Sequence, residues 1–324
     1  MLNNGIRAFV YAKCCGIIGA SFVGKRLTYL HNISKLNELD RLIFEQGSQQ
    51  KPERMLLPDL EERIEQRTLK HILSIVKSFD PVPQFLVHVV RSYEYRDVKN
   101  VLFALNNGEQ QCPQWTDIGA FRTVHFESYP DREAMFNGTV FKSLFNTNDL
   151  MTAQRHIDQQ YYLELLESLQ KLAQHDRSAI EYIVREEIAL LNIVWALRLR
   201  RYYKMSADEV KNALIGIYEL DRDAVESLKF DLDNINDWKT WKRRKFLNPE
   251  IQTEHWQVDP RYVQNTVSLY LYRLALRSFH RHPLSLGSAF CFITLKQYEE
   301  TILTSIAEGL GLGMTSNEVL SLLE

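Results

Sequence analysis

AIEYIVREEIALLNIVWALRLR, residues 179–200, decides the fold class. Its apolar side chains Ile180, Ile183, Val184, Ile188, Leu191 and Trp195 recur at three- and four-residue steps, which puts them on one stripe of an α-helix. Just upstream, Leu165, Leu166, Leu169, Leu172 and Ala173 form a second stripe. Asp176 to Ser178 supplies a polar break and a helix cap between the two, so the pair reads as a helical hairpin. Similar stripes run through Leu69, Ile72, Leu73 and Val76, through Val98, Val101, Leu102 and Leu105, and through Val263, Val267, Tyr270, Leu271 and Leu274. With only 13 Gly and 9 Pro, long stretches lack the turn punctuation an all-β chain needs. The expected fold class is all-α.

Repetition says how these helices are grouped. Glu186, Asn192, Ile193, Trp195, Ala196 and Leu197 match Glu94, Asn100, Val101, Phe103, Ala104 and Leu105 at one offset (192 − 100 = 92). Downstream, Met205-Ser206-Ala207-Asp208-Glu209-Val210 matches Met314-Thr315-Ser316-Asn317-Glu318-Val319, and Leu214 matches Leu323 (314 − 205 = 109). The second offset carries Asn192 to Thr301, within Tyr298-Glu299-Glu300-Thr301-Ile302. Ser206 with Glu209, and Thr315 with Glu318, have capping-box spacing, so each starts a short helix after a turn. The expected organisation is three related helical units, 1–112, 113–222 and 223–324, each longer than the solenoid repeats. Turn-rich Asn106 to Pro113 and mixed Asp231 to Pro249 are the expected boundary loops.

Composition narrows the function classes. Lys and Arg total 39 against 41 Asp and Glu, so no global basic field exists to hold nucleic acid. Cys14, Cys15, Cys112 and Cys291 show no metal or disulfide spacing and read as buried thiols of a reducing compartment. Phe9 to Gly24 is apolar and follows Arg7, yet Lys13 sits inside it. A charge there argues against a signal core, and the run is short for a bilayer. An amphipathic first helix of a cytoplasmic chain is expected.

Candidate chemistry is sparse. Gly19-Ala20-Ser21-Phe22-Val23-Gly24-Lys25-Arg26 has the Gly, Gly and Lys spacing of a phosphate-binding loop. It has Arg26 where a magnesium-binding Ser or Thr is needed, and a helix-like stretch where a strand should precede it. His280-Arg281-His282 lacks acidic or Cys partners at ligand spacing. No catalytic, cofactor-binding or metal-binding residues are therefore assigned, and no cofactor is expected. The candidate interface is Trp238, Trp241, Lys242, Arg243, Arg244 and Lys245, where tryptophans interleave a basic run, residue types that favour partner binding. The plainer reading of that run is solvated cations on a segment anchored by its tryptophans. A second basic cluster, Arg198, Arg200, Arg201 and Lys204, suits a helix C-terminus.

Four segments in order resemble the C-type subunit of A/V-type rotary ATPases, equivalent to the d-type subunit of the eukaryotic vacuolar enzyme. They are Tyr11 to Arg26 with Leu39-Asp40-Arg41-Leu42, Tyr95 to Leu105, Glu186 to Ile193 running into Met205-Ser206-Ala207-Asp208-Glu209, and Tyr298 to Leu323. The resemblance implies a funnel of three helical units with pseudo-threefold symmetry and no catalytic role. It implies one copy per complex, at the cytoplasmic face, joining D/F-type central shaft subunits to the membrane proteolipid ring. Contact with the membrane would then come only through that ring, and the ion moved would be a proton or sodium. A helical adaptor of an unrelated complex fits the composition and repeats equally well.

Overall fold

The computed structural model describes residues 4–44, 53–142, 150–250 and 255–323. Among them the regular elements are helices, with no strand. The order is α1 (Asn4–Ala20), α2 (Leu36–Ile43), α3 (Glu53–Val76), α4 (Gln84–Asn106), α5 (Arg132–Phe136) and α6 (Leu150–Gln170). Then come α7 (Gln174–Tyr203), α8 (Ala207–Ala213), α9 (Tyr218–Ser227), α10 (Pro260–Phe279), α11 (Leu286–Gly311) and α12 (Ser316–Leu323). Short 3-10 segments interrupt the loops, among them Gly24–Leu30, Ile235–Thr240 and Arg244–Phe246.

The chain divides into two compact units. One is Met1–Asp80 with Ser178–Ile183 and Lys229–Glu324; the other is Pro81–Arg177 with Val184–Leu228. In the first unit α11 is the central element, packed by α1, α2, α3, α10 and α12. Leu39, Leu60, Ile64, Ile306 and Val319 meet in its core, each such side chain contributing roughly 1.5–3 kcal/mol on burial. Gly309 lets α12 lie close on α11, because a Cβ there would collide with Val319 Cγ2.

In the second unit α4 packs along α6. Tyr95, Val98 and Val101 of α4 meet Phe136 at the end of α5 and Phe126 and Phe141 on either side of that helix. α6 and α7 are joined by the three residues 171–173 and touch through Tyr162 and Trp195. The predicted hairpin has a different start: α7 begins at Gln174, and Asp176 lies buried in its first turn. An Asp near a helix N-terminus favours the helix dipole, so the polar residues begin the helix instead of breaking it. The burial of α7 is also wider than one stripe. Leu190, Ile193 and Val194 are buried while Leu191 and Trp195 are only half-buried.

Both predicted capping boxes form. Ser206 and Glu209 bond reciprocally at the start of α8, and Thr315 Oγ1 accepts from Glu318 N while Glu318 accepts from Thr315 N. The stretches expected as boundary loops follow the end of α4 at Asn106 and hold the 3-10 segments after Asp231; the first lies inside the second compact unit. The thiols differ from expectation in part. Cys14 and Cys291 are buried, but Cys15 and Cys112 are half-exposed, and all four are free.

α1 is helical as expected, and Lys13 Nζ donates to Ser74 O at 2.7 Å and to Ser78 Oγ at 3.2 Å. Asn4–Leu30 as a whole has the length and apolar composition of a membrane span, longer than the run legible around Phe9. Here it bends at Ser21–Val23 and buries Phe22 and Leu30 in the first unit's core.

Candidate interface

Trp238 and Trp241 are each 1% exposed, with ring centroids 5.1 Å apart in an edge-to-face pair. Trp238 Nε1 donates to Asp231 O at 2.6 Å. The two rings pin the 3-10 segments to the core, and they are no part of an exposed surface. Of the cations predicted beside them, Lys242, Arg244 and Lys245 are exposed and Arg243 is half-buried. Arg244 folds back, its Nη1 donating to Lys239 O at 2.8 Å.

Lys245 takes a different course. Its Nζ lies 4.4 Å from the Tyr270 ring centroid on α10 and 4.8 Å from that of Phe246, a cation over two aromatic faces. The contact brings Lys245 beside Arg273 and Arg277, both exposed on α10 one helical turn apart. Together with Leu269 and Leu276 they line a cleft of about 510 Å³. A second cleft of about 610 Å³ shares Tyr270 and Arg277 and adds Tyr182 and Arg281. Tyr182 is 60% exposed. Among the described residues no carboxylate lines either cleft.

Sequence reasoning found Lys245 but missed the arginines. Their signal was present: two cations at i,i+4 on a predicted helix, where an acidic residue would normally balance one of them. The apolar period of α10 reads as one buried stripe, yet only Val263 and Val267 of it are buried, while Tyr270 and Leu274 line the clefts.

The phosphate-loop lure is used structurally. α1 precedes it, not a strand, and its amides are taken: Phe22 N donates to Glu299 Oε1 at 2.8 Å and Gly24 N to Tyr272 Oη at 2.7 Å. Glu299 is buried and paired with buried Lys296, which also donates to Ser21 Oγ at 3.1 Å. Burial lowers the Lys296 pKa, opposed by the Glu299 charge. Nearby His71 is pushed down to about 4, by burial first and then by the Lys296 and Arg67 cations.

Two further buried acceptors hold loops to helices. Glu94 on α4 accepts from the amides of Thr123 and Val124, the latter at 2.8 Å. Asn192 on α7 accepts from Ile215 N at 3.2 Å and donates to Asp221 at 2.7 Å. His280 of the histidine pair shares a 2.7 Å hydrogen bond with Tyr11 Oη. Among the described residues no group of three or more His, Cys, Asp or Glu is placed to hold a metal ion. The geometry offers contact surfaces and loop anchors, with cations on the two α10 clefts and Glu94 and Glu299 turned inward to loop amides.

Comparison with known proteins adds what a single chain cannot supply. The family described as ATP synthase (C/AC39) subunit matches residues 45–322. A protein of Treponema pallidum (strain Nichols), described only as uncharacterized, is 24% identical over 310 residues, covering 93% of this chain and 91% of its own. The C subunit of the A-type ATP synthase of Methanosarcina mazei is 25% identical over 182 residues, 53% of this chain and 47% of its own.

Proposed function

The chain belongs to the ATP synthase (C/AC39) subunit family, and from that premise we propose that it is a non-catalytic rotor subunit of an A/V-type ion-translocating ATPase. It would seat D/F-type central shaft subunits on the membrane proteolipid ring, one copy per complex, at the cytoplasmic face. Torque would pass through it by noncovalent contact, in either direction of the machine and for either a proton or a sodium ion. The family match over nearly the whole chain is the observation that carries this reading.

The helix stops support a three-unit build. The long helices α4, α7 and α11 are each followed by a residue of positive φ: Gly108 at 70°, Lys204 at 55° and Gly313 at 84°. A left-handed residue is the usual helix stop. The last two stops are 109 residues apart (313 − 204), the offset at which α8 and α12 begin (316 − 207). The proposed units arranged as a pseudo-threefold funnel would give the shaft a polar-lined socket, which resists slipping better than a smooth apolar one.

The test is extraction of the tagged chain from host membranes in mild detergent, with the co-purifying proteins identified by mass spectrometry. The proposal expects shaft-type subunits and a proteolipid together. Recovery solely in a soluble complex lacking both would instead favour a helical adaptor.

A further inference from the structure

The geometry points to a docking trough on α10 that takes an acidic amphipathic helix of a partner protein. Arg273 and Arg277 stand one turn apart on its exposed face, with Arg281 a further four residues on and Lys245 laid against Tyr270 from the neighbouring 3-10 segment. Among the described residues none of these four side chains is ion-paired, and no carboxylate lines either cleft.

The bland account is that cations gather at a helix C-terminus because they complement its dipole. That account covers Arg277 and Arg281. It does not cover Arg273, more than a turn from the end of α10, or Lys245, which belongs to another element, since the dipole effect fades beyond the last turn. Like charges at i,i+4 also repel and destabilise the helix that carries them. An uncompensated cation row therefore costs the isolated chain something that a partner's carboxylates would repay.

Shape selects among acidic partners. The floor between the cations is apolar, from Leu269, Leu276 and Phe246, and the surface is concave. A flat bilayer cannot reach such a floor, whereas a helix can lower one row of apolar side chains into it with carboxylates on the flanking row. Glu or Asp at i,i+4 repeats at the same pitch as the arginines. The inference goes beyond the rotor reading, because it holds whichever protein carries the acidic helix.

The test uses the full chain and a helical peptide of about 20 residues, roughly 30 Å long, bearing a row of Glu at i,i+4 beside a row of Leu. Binding is followed by fluorescence anisotropy at two salt concentrations. Saturable binding is expected, weakening as salt rises, with at least a tenfold loss in the Arg273→Gln, Arg277→Gln, Arg281→Gln variant whose circular dichroism matches the parent. Should that variant lose its fold, the single variants Arg277→Gln and Arg277→Lys serve instead, the first expected to weaken binding of the Glu-row peptide several-fold and the second to keep it. Equal binding of parent and variant, equal binding of a Gln-row peptide, or preference for phosphatidylglycerol vesicles over the peptide would overturn the inference. Loss of peptide binding with rotor subunits still co-purifying removes the trough alone; the converse removes the rotor reading alone.

Discussion

Asn192 is fully buried and bridges Ile215 N to Asp221, yet the two residues that sequence offsets pair with it, Asn100 and Thr301, are exposed. Buried carboxylates on α4 and α11 also take loop amides, Glu94 and Asp97 on the first and Glu299 on the second. Glu94 and Glu299 lie 98 residues before and 107 after Asn192 (192 − 94 and 299 − 192), against sequence offsets of 92 and 109. The residues that the sequence offsets pair with Asn192 thus lie on other faces of their helices than the buried acceptors do, since each residue turns a helix by about 100°. Removing any one acceptor would strand buried amides at about 1–3 kcal/mol. At the same scale, burial pushes Glu187 on α7 up to about 7, where its charge bears on Tyr161 and Tyr162 of α6. Folding thus favours the protonated acid. Its contribution is full below the unfolded value of 4.5 and is lost as pH rises through 7. Thermal melts of Glu187→Gln should match the parent near pH 4.5 and exceed it above pH 7, by on the order of 1–3 kcal/mol. A constant difference across that range would mean the carboxyl is solvated.

Helix stops and starts were the most legible elements. The boxes Ser206/Glu209 and Thr315/Glu318 could be read directly, because a capping box is a local exchange of two hydrogen bonds within four residues. The start of α7 could not, because Asp176 is both a cap former and a good first-turn residue, and only packing decides between them. The arginines at the end of α10 were not legible for a related reason: their exposure, and the absence of an ion-pair partner among the described residues, are properties of the fold. Close packing is equally silent in sequence. Gly309 sits within an apolar helix where Ala would ordinarily gain about 1 kcal/mol, but here α12 occupies the space through Val319. Gly309→Ala should lower stability in urea unfolding by about 1–3 kcal/mol, and adding Val319→Ala should recover part of the loss. A neutral or stabilising Gly309→Ala would refute the contact.

At the scale of the whole molecule, the all-α class was readable from the apolar stripes and the family from ordered, degenerate segments, of which Tyr95 to Leu105, Glu186 to Glu209 and the stretch from Tyr298 fall in the matched residues 45–322 while Tyr11 to Arg26 lies before them. Of the residues of the candidate interface, the sequence showed the types but not their exposure. Trp238 and Trp241 proved to be anchors, while Lys245 joined cations that only the fold assembles. The chain divides into two compact units, and the threefold plan is a proposal, for which the equal spacing of the stops of α7 and α11 speaks. The central claim is a place in a rotor, and an electron cryomicroscopy map of the detergent-solubilised complex holding the tagged chain tests it most directly. The account predicts a single copy on the rotation axis, between the shaft and the proteolipid ring. Density for the chain away from that axis, or a complete rotor without it, would contradict the account.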